Sequence, residues 1–337
     1  MRVTILTMGG TIASDENGKI VGLPWERGRV PVPAAGDEVV ETTFREVAAL
    51  SSPDIEMEDV LRLRNAIVEE LESEDCDGIL VTHGTDTLEE TAFAVAASLD
   101  TRKPVGFTGA MRAPNEPGSD AAVNFGDALL ALSAARRLAR PPVMVVLGGV
   151  IHDATRATKG HTSSPAAFTS GHAGPIGFVH EGEARFLNRV MWPDLTPFKS
   201  PGHLSGELGG VDLFTATAGG DPSVLSKLAL TDSMGVVISG TGGGHLPKSH
   251  MASLRVCVEA GMVVAITTRC AEGLSLRGGE LGGGVDAASQ GAVYSPFNAL
   301  KTRMLLSVGS MVLGNRSGLT EAIRGLWSDQ TGSGDHA

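Results

Sequence analysis

Cysteine is scarce. Cys76, Cys257 and Cys270 are the only three in 337 residues, an odd number set far apart. That usage excludes a disulfide scaffold, offers no zinc-ligand spacing, and predicts reduced thiols in a cytoplasmic protein. Long hydrophobic runs are missing as well. No apolar stretch approaches the roughly 20 residues that span a bilayer, so no membrane partner is expected. Positive charge is the minority sign: 27 Lys and Arg against 39 Asp and Glu give a net charge of -12. Phosphate binding needs clustered Lys and Arg, so no nucleic acid is expected. The first residues, Met1-Arg2-Val3-Thr4-Ile5-Leu6-Thr7, predict a strand and contain no apolar leader with a cleavage site. Aromatic residues make up only 4%, with a single tyrosine, Tyr294, yet 42% of the chain is hydrophobic. That is the composition of a globular protein, at a length that allows two domains with separate cores.

What the chain does have is alternation. Residues 3–7, 78–82, 104–108 and 143–147 predict short buried strands. Between them Val60, Leu63, Ile67 and Leu71 recur at the spacing of one helix face. Residues 88–99 are good helix formers, and 120–139 predict a long Ala/Leu-rich helix. Strands alternating with helices predict a parallel α/β sheet. Residues 14–37 are rich in Gly, Pro and charge, without periodicity. A loop of that length in a compact domain is functional or disordered, and ordering on binding would make it a lid. Regularity fades over 186–211, with Trp192-Pro193-Asp194, Pro197, Pro201-Gly202 and Gly209-Gly210, the composition of a linker. Beyond it, 235–239 and 262–267 predict strands, 299–313 an amphipathic helix, and 328–337 a frayed tail. The expected fold class is α/β, in two domains. A larger N-terminal parallel-sheet domain spans 1–190, a linker 191–211, and a smaller flavodoxin-like C-terminal domain 212–337. The smaller domain is expected to supply a wall of the site.

Two segments sit where chemistry is expected. Thr7-Met8-Gly9-Gly10-Thr11-Ile12-Ala13 follows the first predicted strand. Val81-Thr82-His83-Gly84-Thr85-Asp86-Thr87-Leu88-Glu89-Glu90-Thr91 closes the second. Open parallel sheets bind ligands at the carboxyl ends of their strands, and each segment delivers a threonine beside glycine. Glycine lets the backbone turn sharply and approach a substrate. A hydroxyl nucleophile needs a base or a polar network and donors for the oxyanion. Read alone, Gly9-Gly10-Thr11 is also the sequence of a tight turn in which Thr11 only caps a helix. Asp86-Thr87-Leu88-Glu89-Glu90 reads as a helix N-terminus, favoured by capping and the helix dipole, and that accounts for both glutamates. Asp86 is suited to hold a substrate ammonium, and the N–H groups of the turn an oxyanion or carboxylate. His83, Asp86 and Glu90 match no metal spacing, and His83 is expected to serve the turn. A third piece, Arg156-Ala157-Thr158-Lys159-Gly160-His161-Thr162, follows the strand at 143–147. Lys159 reads either as a surface lysine or, in a buried polar site, as an amine that exchanges a proton with Thr85.

The two segments resemble the signatures of the bacterial L-asparaginase family. The resemblance runs from residue 3 to about 313 and includes Gly106-Phe107-Thr108-Gly109-Ala110-Met111-Arg112 and Ser119-Asp120-Ala121-Ala122-Val123-Asn124-Phe125, with Gly174-Pro175-Ile176-Gly177. It implies hydrolysis of L-asparagine to L-aspartate and ammonia, with Thr11 attacking the amide carbon to give an acyl-enzyme. It also implies a second set, Thr85, Asp86 and Lys159, that assists attack or orients water. Substrate contacts are implied at Ser52, Gly84, Thr85 and Asp86, and at Glu280, which in some members reaches across from a neighbouring subunit. No metal or organic cofactor is implied, and the assembly is expected to be a homodimer or homotetramer.

The chain departs from the family in places. Members commonly carry a tyrosine in the N-terminal loop, whereas Tyr294 lies far along this chain. Lys19 and Trp25 are the nearest loop candidates, and only Lys19 could take a proton. Pro53 stands where many members have glutamine, which predicts one lost substrate hydrogen bond and weaker discrimination. Glu280 sits between Gly278-Gly279 and Gly282-Gly283-Gly284, which blurs its alignment. Other readings are a hydrolase for another small amide and a catalytically weak homologue that senses an amino acid. A third is the glutamine-hydrolysing component of a tRNA-dependent amidotransferase, which carries an extra N-terminal domain and is disfavoured by the acidic charge. A nucleotide-binding protein built on Gly240-Thr241-Gly242-Gly243-Gly244-His245 lacks a phosphate-loop sequence.

Overall fold

The computed structural model describes residues 1–15, 17–24, 40–138, 142–190, 193–206, 209–276 and 284–327. The expectations for most of the 14–37 loop and for the tail at 328–337 lie outside the described residues. The chain divides into two units: Met1–Val190 with Ser200–Leu204, and Met191–Lys199 with Ser205–Ala337.

The first unit begins with β1 (Arg2–Gly9), β2 (Glu41–Leu50), α1 (Met57–Glu72), β3 (Gly78–Thr82), α2 (Leu88–Ser98), β4 (Val105–Thr108), α3 (Ala121–Ala135) and β5 (Val143–Leu147). Antiparallel elements follow: β6 (Val150–Asp153), the hairpin β7 (Thr158–Lys159) and β8 (Phe168–Thr169), then β9 (Gly177–His180) and β10 (Glu183–Phe186). Eight strands form one sheet in the order β10-β9-β6-β5-β4-β3-β1-β2. The pairs from β2 through β5 are parallel, and β6, β9 and β10 extend the sheet antiparallel.

The central strands are apolar on both faces because both faces are covered. Leu6, Met8, Ile79, Val81, Val145 and Leu147 pack with α1 and α2 through Leu63, Ile67, Ala92 and Val95. The alternate residues Val3, Ile5, Leu80, Met144 and Val146 pack with α3 through Phe125, Leu129 and Leu132. This period of two is the strand geometry itself. Helix α3 is shorter than the expected 120–139, and turns follow it at 136–138.

Arg64 of α1 points inward at 1% exposure, and three of its bonds go to main-chain carbonyls, with a longer one to Asn65 Oδ1 at 3.4 Å. Its guanidinium donates to Ser98 O (3.1 Å), Ser200 O (2.5 Å) and Gly202 O. Asn65 adds a two-way bond to Leu204, donating to its carbonyl at 2.8 Å and accepting its N–H at 2.9 Å. These bonds explain why 200–204 packs with the first unit.

The second unit contains β11 (Val211–Thr215), α4 (Pro222–Leu228), β12 (Gly235–Gly240), α5 (Met251–Glu259), β13 (Val263–Thr268), α6 (Gly284–Ser289), β14 (Val293–Tyr294), α7 (Ala299–Leu313) and α8 (Arg316–Gly325). Its four strands are parallel and stand in chain order, β11-β12-β13-β14, so it is the smaller parallel α/β sheet. The order reversal of a flavodoxin arrangement is found instead in the first unit, in β2-β1-β3-β4-β5. Val236, Ile238, Val264 and Ile266 pack against Leu225 and Leu254 to form its core. Helix α7 starts where Asn298 accepts the Lys301 N–H at 2.9 Å and stops at Gly314, whose φ is 69°.

Candidate active site

Strand order reverses at β1, which pairs β2 on one side and β3 on the other. A crevice opens outside the carboxyl ends of the strands at such a point. Both threonine segments emerge there. At the end of β1, Gly9 and Gly10 take φ of 93° and 80°, a region open to glycine and strained for other residues. They deliver Thr11 at the start of a short helical turn, Thr11–Ala13. After β3, His83 and Gly84 lead to Thr85, Asp86 and the start of α2. The two turns touch through their glycines: a Cβ on Gly10 would lie 2.3 Å from the Gly84 Cα.

A cavity of about 490 Å³ lies over this point, and Thr11, Ser52, Thr85, Asp86 and Lys159 all line it. That volume is ordinary for a small-molecule site. Asp15, Met111, Glu116 and Thr162 also reach it, and no local pattern in the sequence points to them as site residues.

Lys159 is the hub. Its Nζ donates to Thr85 Oγ1 at 2.8 Å and to Asp86 Oδ1 at 2.5 Å. The Lys159 side chain is 14% exposed and the Asp86 side chain 58%, so the pair spans from wall to opening. Thr85 is 6% exposed. Because an ammonium only donates, it occupies a lone pair on Thr85 Oγ1 and leaves that hydroxyl's proton free to point elsewhere. Lys159 reaches the site on the β7–β8 hairpin, where it pairs with Phe168. Its backbone N–H donates to Glu89 Oε2 at 2.7 Å.

Ser52 belongs to a helical turn, Ser52–Asp54, with Pro53 in its first positions. The Asp86 N–H donates to Ser52 Oγ at 3.2 Å, and the Thr87 hydroxyl donates to Ser52 O at 2.8 Å. Gly84 makes this approach possible, since a Cβ there would come within 2.6 Å of Ser52 Cβ. The Thr11 hydroxyl has no hydrogen-bond partner among the described residues. Asp15 folds the loop beyond it, accepting the N–H groups of Asn17 and Lys19, both at 2.9 Å. Lys19 itself is exposed. Trp25 and Glu280 lie outside the described residues.

The remaining motifs hold the frame. Asp120 accepts the N–H groups of Met111 and Arg112 and, at 3.0 Å, the Asn124 amide. Asn124 also donates to Gly109 O at 3.0 Å and accepts the Gly148 N–H at 2.9 Å. These bonds fix the loop that brings Met111 to the cavity. His83 serves the turn as expected: it is fully buried, and its Nδ1 donates to Gly84 O at 2.7 Å. Burial pushes its pKa down to about 4, although the bond to Gly84 works the other way. His152, bonded through Nδ1 to Ser170 Oγ at 2.7 Å, is likewise lowered to about 4 by burial. Tyr294, the lone tyrosine, is buried on β14 of the second unit, where burial raises its pKa to about 12.

Comparison with known proteins bears on the family and the fold. The family profile described as asparaginase, N-terminal, matches residues 2–191, and that of the glutaminase/asparaginase C-terminal domain matches 210–319. A probable L-asparaginase of Deinococcus radiodurans is 34% identical over 91% of this chain and 92% of its own. One component of a glutamyl-tRNA(Gln) amidotransferase from Methanosarcina mazei is 32% identical over 81% of this chain, which spans 65% of that relative. Among solved structures, a probable cytoplasmic L-asparaginase from Campylobacter jejuni superposes with a TM-score of 0.81 at 25% identity, covering 96% of this chain and 98% of the other. With both of its profiles matched in order along most of its length, the chain belongs to the asparaginase family.

Proposed function

We propose that this chain is an L-asparaginase that hydrolyses L-asparagine to L-aspartate and ammonia through Thr11. One observation carries the reading: Lys159 is bonded to both Thr85 and Asp86 in the cavity that Thr11 also lines. That set supplies a nucleophile, a polarised second hydroxyl and a carboxylate without further groups.

In this reading Thr11 Oγ1 bonds to the side-chain amide carbon. The C–N bond then breaks, the Thr11 hydroxyl proton passes to nitrogen, and ammonia leaves. Water next attacks the acyl ester: its hydroxyl joins the carbonyl carbon, the ester C–O bond breaks, a water proton passes to Thr11 Oγ1, and aspartate departs. Thr85, oriented by the Lys159 ammonium, donates its free proton to the reacting centre or aligns the water. The exposed Asp86 carboxylate receives the substrate α-ammonium. The Ser52 hydroxyl, whose oxygen already accepts the Asp86 N–H, directs its own proton to the α-carboxylate. Gly84 keeps that corner open. Glu280, carried by resemblance, belongs to the same proposal, as do homodimer or homotetramer assembly and cytoplasmic placement.

A second reading is kept by one observation. The Thr11 hydroxyl meets no base among the described residues, and the only tyrosine is buried on β14. A catalytically weak homologue that binds an amino acid would look the same. Ammonia release from L-asparagine, L-glutamine and D-asparagine separates the readings. Release from L-asparagine in preference to the other two supports the asparaginase. Aspartate binding without release from any of them supports the binding protein.

A further inference from the structure

The start of α2 grips Lys159 at both ends. Thr85 and Asp86, just ahead of the helix, receive the ammonium at 2.8 Å and 2.5 Å. In the first turn, Glu89 Oε2 receives the Lys159 backbone N–H at 2.7 Å. Glu89 is 4% exposed. Burying a carboxylate is costly unless it is bonded, whereas an acid serving only the helix dipole could stay in solvent. Its bond goes to the main chain of the residue whose ammonium meets Thr85. Strand β7 is only Thr158–Lys159 and pairs with β8 within its hairpin. The Glu89 bond ties that hairpin to the helix whose lead-in carries Thr85 and Asp86.

We propose that Glu89 is a positioning residue: it fixes the Lys159 backbone so that Nζ arrives at the Thr85 hydroxyl, and so sets the rate of the step that Lys159 assists. The inference rests on the amidohydrolase reading above. A lysine side chain is a flexible four-carbon stem. Anchoring its base to the same turn that binds its tip removes the arrangements in which Nζ misses Thr85, and small misplacements of reacting groups are expensive in rate. Glu89 acts through Lys159 and touches no substrate.

The test compares wild type, Glu89→Met, Glu89→Gln, Lys159→Met and the double variant Glu89→Met/Lys159→Met, reading kcat and KM for L-asparagine. Glu89→Met lowers kcat roughly 10- to 100-fold with KM changed less than about threefold. Glu89→Gln keeps an acceptor oxygen and restores most of the lost rate. In the Lys159→Met background, Glu89→Met costs nothing further, since the two act as one unit. If Glu89→Met fails to fold by circular dichroism, Glu89→Asp takes its place; it withdraws the acceptor by one methylene and is expected to lose rate in the same way. Additive losses in the double variant overturn the inference, and so does a Glu89→Gln enzyme as slow as Glu89→Met. An active wild type with an unimpaired Glu89→Met overturns this inference alone. A wild type that releases no ammonia overturns the amidohydrolase reading beneath it.

Discussion

Gly10 and Gly84 meet backbone to backbone: a Cβ on Gly10 would stand 2.3 Å from the Gly84 Cα and 2.4 Å from its N. Each glycine follows a strand, β1 and β3, that are direct neighbours in the sheet. Their contact brings the turn bearing Thr11 against the turn bearing Thr85. Gly10→Ala therefore forces a clash with main chain, at a φ of 80° that alanine resists. The expected cost is about 2–4 kcal/mol, read as a lower urea midpoint, together with a large loss of ammonia release. A variant of wild-type stability and rate would show that the two turns do not depend on this approach.

Lys159→Met keeps most of the length of the unbranched side chain and removes its three donors. Without the ammonium, Thr85 loses its bonded partner, and Asp86 loses the cation 2.5 Å away. The expected fall in kcat is roughly 100- to 10,000-fold, the span of a lost acid–base assistant, with substrate binding partly retained. Steady-state kinetics beside an aspartate-binding titration checks this. Turnover near the wild-type rate would remove Lys159 from the reaction.

Acid stability depends on two buried imidazoles. His83 and His152 have pKa values of about 4 in the folded protein against 6.5 when free. Above 6.5 both states leave the rings neutral. Between 6.5 and about 4 the unfolded chain takes up protons that the folded chain does not. Stability is thus expected to fall as pH drops through that window, and this contribution levels off below it. Urea unfolding from pH 7.5 to 4.5 checks the slope, which should become shallower in His152→Gln.

Arg64→Met tests the tie to residues 200–204. The substitution leaves the carbonyls of Ser98, Ser200 and Gly202 without their guanidinium donor. Ser98 O keeps the Ser200 N–H at 2.8 Å and Gly202 is exposed, so the half-buried Ser200 carbonyl bears most of the loss, and a cost of about 1–3 kcal/mol is expected. Faster proteolysis near 200–204 should accompany it.

The sequence disclosed what depends on local chemistry. Short apolar runs ending in Gly and Thr marked β1 and β3 and placed both threonine turns, because buried parallel strands read as continuous apolar runs. Strand β2 escaped notice: Glu41-Thr42-Thr43-Phe44-Arg45-Glu46 is polar and partly exposed at the sheet edge, where packing dictates little. Glu89 read as an ordinary first-turn acid, since nothing local shows that the main chain of Lys159, 70 positions later, will arrive above it. Arg64 sits on the inward face of α1, and the docking of 200–204 adds the Ser200 and Gly202 carbonyls to the acceptors of its charge. The contacts that escaped the sequence are those between segments far apart in the chain.

The most direct test of the central claim is ammonia release from L-asparagine by the purified protein and by Thr11→Ala, with both shown to be folded by circular dichroism. The account predicts release by the wild type and none above background by Thr11→Ala at unchanged thermal stability. Near-normal release by Thr11→Ala would contradict it and take the nucleophile's role from Thr11.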